Sequence, residues 1–143
     1  MNNIELARSN IKQAEERLKH AREALESGNY PYVIRQCQEA VELALKAALR
    51  LVGIEPPKWH DVGPILRREK NVFPKWFQDH TDELASVSRI LRREREPALY
   101  GDEETDMPPE ELYARSDAEK ALKDSEKVLT LVLKLLSSSL GKH

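Results

Sequence analysis

The chain has 143 residues, 34% of them charged and 6% aromatic, with a formal net charge of −2. That length suits one domain over 1–143, large enough to bury a core without disulfides or metals. The charge balance supplies no global basic field, so nucleic acid would have to be held by a local patch. Cys37 is the single cysteine, which excludes an internal disulfide. No segment is apolar for long enough to serve as a signal-peptide core or a bilayer span, so a cytoplasmic protein without membrane contact is expected.

The first segment carries Ile4, Ala7, Ile11, Ala14, Leu18, Ala21 and Leu25 at three- and four-residue spacing, the stripe of an amphipathic helix. Gly28 stops it, and Pro31 suits the first turn of the next helix. That second helix has a wide apolar face, from Val33, Ile34 and Cys37 through Ala44, Leu45 and Leu51, and so predicts a central position. Gly53 and then Pro56-Pro57 end it. A short helix follows His60-Asp61, with Asp61 as its cap. A third long helix is expected from about Pro74 to Pro97, with the stripe Phe77, His80, Leu84, Val87 and Leu91.

The acidic stretch 100–107 reads as a loop, and Pro109 opens a short turn. Ser116 and Glu119 have the spacing of a capping box before a last helix that carries Ala118, Ala121, Leu122, Val128, Val132 and Leu135. No stretch alternates with period two. The expectation is an all-α, up-and-down bundle of four long helices with one or two short extra helices.

Chemistry concentrates at Arg89, Arg92, Arg93 and Arg95. At about 100° per residue, Arg89 and Arg93 fall opposite the apolar stripe, Arg92 on its flank, and Arg95 in line with it. An arginine on the stripe has to sit at the open end of the bundle or meet a carboxylate. A salt-bridged helix end is the plain reading. A phosphate-binding patch is the functional one, because guanidinium presents a planar fork to phosphate oxygens. Cys37 lies on an apolar stripe and reads as core. His80 reads as a core or helix-end residue, His20 as solvated, and His143 as terminal. No spacing suggests a metal site. Tyr30, Trp59, Phe73 and Trp76 read as seals of the bundle ends more than as base-stacking platforms.

Three segments in order carry a family resemblance. The run from Gly28 to Val62, with its paired-aromatic start, its Ala/Leu-rich helix and its Pro followed by His-Asp, resembles the second-helix region of HEPN domains. SRILRREREPALYGDEE is similar to the functional region of that family, and DAEKALKDSEKVLTLVLKLL to its final helix. Active members are metal-independent ribonucleases with an Arg-x4-6-His motif, extended to Arg-x4-His-x-Tyr in the subset paired with small nucleotidyltransferases. On this sequence the resemblance puts Arg93 at the arginine position and Tyr100 at the tyrosine position, with Ala98 in place of the histidine. A metal-free ribonuclease needs a group that moves protons near neutral pH, and alanine cannot do so.

The resemblance therefore implies a catalytically degenerate domain that binds nucleotide or RNA, with no catalytic residue and no cofactor. Arg89, Arg93, Arg95 and Tyr100 are the candidate site. It also implies a homodimer and a small nucleotidyltransferase partner in a toxin–antitoxin-like pair, with Tyr100 as an adenylylation acceptor. The alternatives are an active ribonuclease toxin with a displaced base, and a helical interaction or assembly module without catalysis.

Overall fold

The computed structural model describes residues 3–58 and 61–140. Trp59, His60 and His143 lie outside the described residues. Helix α1 (Asn3–Ser27) buries Ala7, Ile11, Ala14, Leu18 and Ala21 of the expected stripe, and at its end buries Ala24 while Leu25 is only half-buried. Its many alanines let the neighbouring helix come close, since side-chain size at the contact sets the distance between axes. Gly28 takes φ +79°, where a side chain would be strained. The Gly28 N–H donates to the Leu25 carbonyl (3.2 Å) and the Asn29 N–H to that of Ala24 (2.9 Å). These bonds satisfy the last carbonyls of the helix and reverse the chain within two residues.

Helix α2 (Tyr30–Leu51) begins with Pro31 in its first turn and is the centre of the molecule. Val33, Cys37, Ala44, Leu45, Ala48 and Leu49 are all buried, which explains the wide apolar face in the sequence. A second glycine cap, at Gly53 with φ +82°, ends it.

Short elements follow: α3 (Gly63–Arg68), a 3-10 turn (Lys70–Val72) and α4 (Lys75–Gln78). The N-cap of α3 is Val62 and not the expected Asp61, which lies one residue earlier and still closes the start of the helix by accepting from the Gly63 N–H at 3.1 Å. The one helix anticipated between Pro74 and Pro97 is in three pieces: α4, α5 (Thr81–Arg93) and α6 (Arg95–Tyr100). Pro97 accounts for the second break. In a continuous helix its ring would clash with the carbonyl of Arg93 and leave that carbonyl without a donor. The chain steps aside at Glu94, and Pro97 falls instead in the first turn of α6, where a proline costs little.

Gly101, at φ +76°, ends α6, and its N–H donates to the Pro97 carbonyl (2.8 Å). The 102–107 loop closes on paired backbone bonds between Asp102 and Met107 (2.8 and 3.0 Å). Helix α7 (Pro109–Leu112) is the short turn expected at Pro109. The capping residue of α8 (Arg115–Leu140) is not Ser116, which lies inside the helix. Asp117 holds the start of α8, accepting from the Ala114 N–H at 2.9 Å.

The four long helices α1, α2, α5 and α8 make an all-α up-and-down bundle, in which α2 packs on α1, α5 and α8, and α8 packs back on α1. Phe73 stacks on Phe77 (4.5 Å between centroids), Trp76 meets Phe77 edge-on, and the Lys134 ammonium lies 4.3 Å over the Trp76 ring. These aromatics seal the bundle where α4 meets α8. No helix among the described residues is long and apolar enough to cross a membrane.

Candidate functional site

The break at Glu94 decides where the arginines go. It resets the helical phase, so the inward residue of α6 is Ala98, 4% exposed, and Arg95 is turned to the surface. The expectation that Arg95 continues the apolar stripe is thereby corrected. Arg89 and Arg93 are exposed on the outer side of α5, as the helical phase predicted.

Arg95 meets Arg92 in a groove that the sequence alone did not reveal. Arg17 of α1, Lys46 of α2, Lys58 of the following loop, Arg92 of α5 and Arg95 of α6 converge there around Glu39 and Glu42, and Leu43 completes the wall. The groove has a volume of about 290 Å3. Five cations face two carboxylates. The Arg17 Nε lies 3.6 Å from the Glu39 Oε1. The Glu42 Oε1 lies 3.3 Å from the Lys46 Nζ and 4.0 Å from the Arg92 Nη1, and the Gln38 side-chain amide donates to its other oxygen at 2.9 Å. Glu42 is thus a half-buried anchor that orients two cations. Among the described residues, Lys58 and Arg95 have no carboxylate within 4.0 Å, and both are exposed. Paired cations at the back and unpaired ones at the mouth leave a surplus of positive charge in a concave site, where fields are concentrated.

Tyr100 belongs to a different surface. The residue is 68% exposed and borders a cleft formed with Glu94, Glu96, Asp102, Glu103 and Glu104, floored by Pro97, Leu112 and Tyr113. The structure therefore groups Arg95 with Arg92 in a basic groove and places Tyr100 in an acidic cleft. The expected four-residue cluster is divided between these two surfaces and the outer face of α5.

The other candidates have structural surroundings. Cys37 is fully buried, and desolvation pushes its thiol up to about 12, against a smaller opposing effect of the Ser125 hydroxyl. The His20 Nε2 lies 3.3 Å from the Glu16 carboxylate on an open face of α1. His80 sits at the joint of α4 and α5, with its Nδ1 3.9 Å from Glu83. No group of three or more His, Cys, Asp or Glu among the described residues could hold a metal ion.

Comparison with known proteins bears on the family and the fold. The family model described as HEPN domain matches residues 7–136. A protein of Methanocaldococcus jannaschii named "Putative toxin MJ1304" is 32% identical, over 97% of this chain and 93% of that one. The crystal structure of TT1696 from Thermus thermophilus superposes with a TM-score of 0.74 at 28% identity, covering 94% of this chain and 99% of that one.

Proposed function

The chain belongs to the HEPN domain family, and from that membership we propose a nucleotide- or RNA-binding protein that holds phosphate in the basic groove and has no ribonuclease activity of its own. One observation carries the reading: Arg17, Lys46, Lys58, Arg92 and Arg95 come from separate parts of the chain to one concave site, and two of them stay unpaired. Guanidinium and ammonium groups in such a groove bind phosphate oxygens by charge-assisted hydrogen bonds. Arg89 and Arg93 extend the positive surface along α5 and would track the backbone of a longer strand.

The absence of hydrolysis rests on Ala98. It occupies the position where the family motif has histidine, and its methyl group is packed into the core. No histidine lies among residues 94–142. Tyr100 is exposed enough to accept an adenylyl group, and the carboxylates around it favour an approach in which a cation accompanies the nucleotide. We read the protein as a cytoplasmic homodimer with 1–143 as one domain, one half of a toxin–antitoxin-like pair with a small nucleotidyltransferase. The name of the M. jannaschii relative supports the toxin part of this reading, and the packing of α8 on α1 the single domain.

Fluorescence anisotropy with a short single-stranded RNA tests the binding. The wild type is expected to bind with strong salt dependence. The Lys58→Glu, Arg95→Glu double variant is expected to bind at least about tenfold more weakly, from two charge reversals in the groove. Unchanged affinity in that variant would remove the groove from the function. Mass spectrometry after incubation with an active cognate transferase and ATP tests Tyr100, and an unmodified Tyr100 would remove it as the acceptor.

A further inference from the structure

A second cleft, between α5, α7 and α8, has the opposite chemistry. Ile34, Leu91 and Ala121 form its buried floor, Val87 and Leu112 its walls, and Ile90 stands at its rim, 51% exposed. Its volume is about 220 Å3. Apolar cavities of about 150 Å3 already accept a molecule the size of benzene.

The polar groups of this cleft are unequally engaged. Lys120 is bound to Asp124 at 2.9 Å, and Asp117 is occupied by the Ala114 N–H. Glu94 is half-buried, and no cation lies within 4.0 Å of it among the described residues. Beside it, the Tyr113 hydroxyl is buried and has no hydrogen-bond partner among the described residues. Desolvation first, then the charge of the Glu94 carboxylate and its approach to the hydroxyl, and last the charge of Asp117, push that phenol far above its ordinary pKa, so it stays neutral. An apolar body flanked by a carboxylate without a counter-ion selects for a cation.

We propose that this cleft binds a small organic amine, its flat apolar body on Ile34, Leu91 and Ala121 and its protonated nitrogen on Glu94. The site is separate from the basic groove, and the inference does not depend on phosphate binding there.

Phenethylamine is a suitable probe, with nine heavy atoms, a flat ring and a charged nitrogen. Titrated into 15N-labelled full-length protein, it is expected to shift the amides of Val87, Leu91 and Ala121, with a Kd on the order of 1 mM or tighter for a ligand of that size. The neutral 2-phenylethanol is expected to bind about tenfold more weakly, and the anionic 3-phenylpropionate not detectably. Glu94→Gln is expected to reduce phenethylamine binding to the level of the alcohol while leaving the alcohol itself unchanged. Because Glu94 also borders the acidic cleft, shifts confined to Tyr100 and its loop would overturn the assignment. Equal binding of the amine, alcohol and carboxylate would overturn it as well, as would an amine indifferent to Glu94→Gln or no binding of the amine at all.

Discussion

The Ser88 hydroxyl donates a 2.8 Å hydrogen bond to the Asp61 Oδ1, the same oxygen that accepts the Gly63 N–H. One carboxylate oxygen thus closes the start of α3 and ties it to the buried face of α5. The pairing explains why a serine can sit at a position 8% exposed. Ser88→Ala is expected to destabilise the fold by about 1–2 kcal/mol, and Asp61→Ala by more, because it removes the bond to the Gly63 N–H as well as the tie. Urea denaturation of both variants and of the double mutant measures the coupling. Additive losses would show that the two residues act independently.

Gly101 sets where Tyr100 stands. At its φ of +76° any side chain is strained, and a Cβ would collide with the Met107 carbonyl oxygen. Gly101→Ala is expected to cost at least about 2 kcal/mol and to break the Asp102–Met107 pairing that closes the acidic cleft. Amide exchange at Asp102 and Met107 reads the second effect directly. Protection equal to wild type would show that the loop closes without the glycine.

Cys37 is expected to be silent to thiol reagents. A buried thiol whose pKa stands at about 12 has almost no thiolate at pH 8. A disulfide reagent such as DTNB is expected to label no thiol in the native protein and one per chain in guanidinium. The same shift has a sign for stability. The native pKa lies above the ordinary 9.0, so the contribution is fully present below pH 9 and is lost as pH rises towards 12. Cys37→Ala is expected to flatten that part of the alkaline stability profile.

Glu42 offers a test of charge against organisation in the basic groove. Removing a negative charge about 7 Å from a bound phosphate in a water-like dielectric is worth about 0.6 kcal/mol, or about threefold in affinity. Glu42→Gln is therefore expected to bind RNA about threefold more tightly at low salt, with the gain lost at high salt. Weaker binding would mean that its hold on Lys46 and Arg92 outweighs its charge.

What was legible in the sequence was whatever local spacing determines. The stripes of α1, α2 and α8, the stops at Gly28 and Gly53, and the outward phase of Arg89 and Arg93 follow from periodicity and backbone chemistry alone. The break at Glu94 is not legible, because a proline at 97 fits the end of one helix as well as the first turn of another. That one shift moved Arg95 out of the expected stripe and turned Ala98 inward. The burial of Ser88 could not be read, since its partner lies 27 residues away. The basic groove was hidden for the same reason. Arg17, Lys46 and Lys58 join Arg92 and Arg95 only through tertiary packing, while the visible run of arginines pointed to α5 alone.

The two-residue reversal at Gly28 and Asn29 also bears on how the chain reaches this structure. The α1–α2 interface joins neighbours in sequence, so forming it closes almost no loop, whereas docking α8 on the same helices must close more than sixty residues. Loop-closure entropy then favours the first helical pair as the early structured unit on which the rest condenses. Leu18→Ala in that pair is expected to slow folding, and Val132→Ala in α8 chiefly to speed unfolding, a division that stopped-flow chevrons of the two variants resolve.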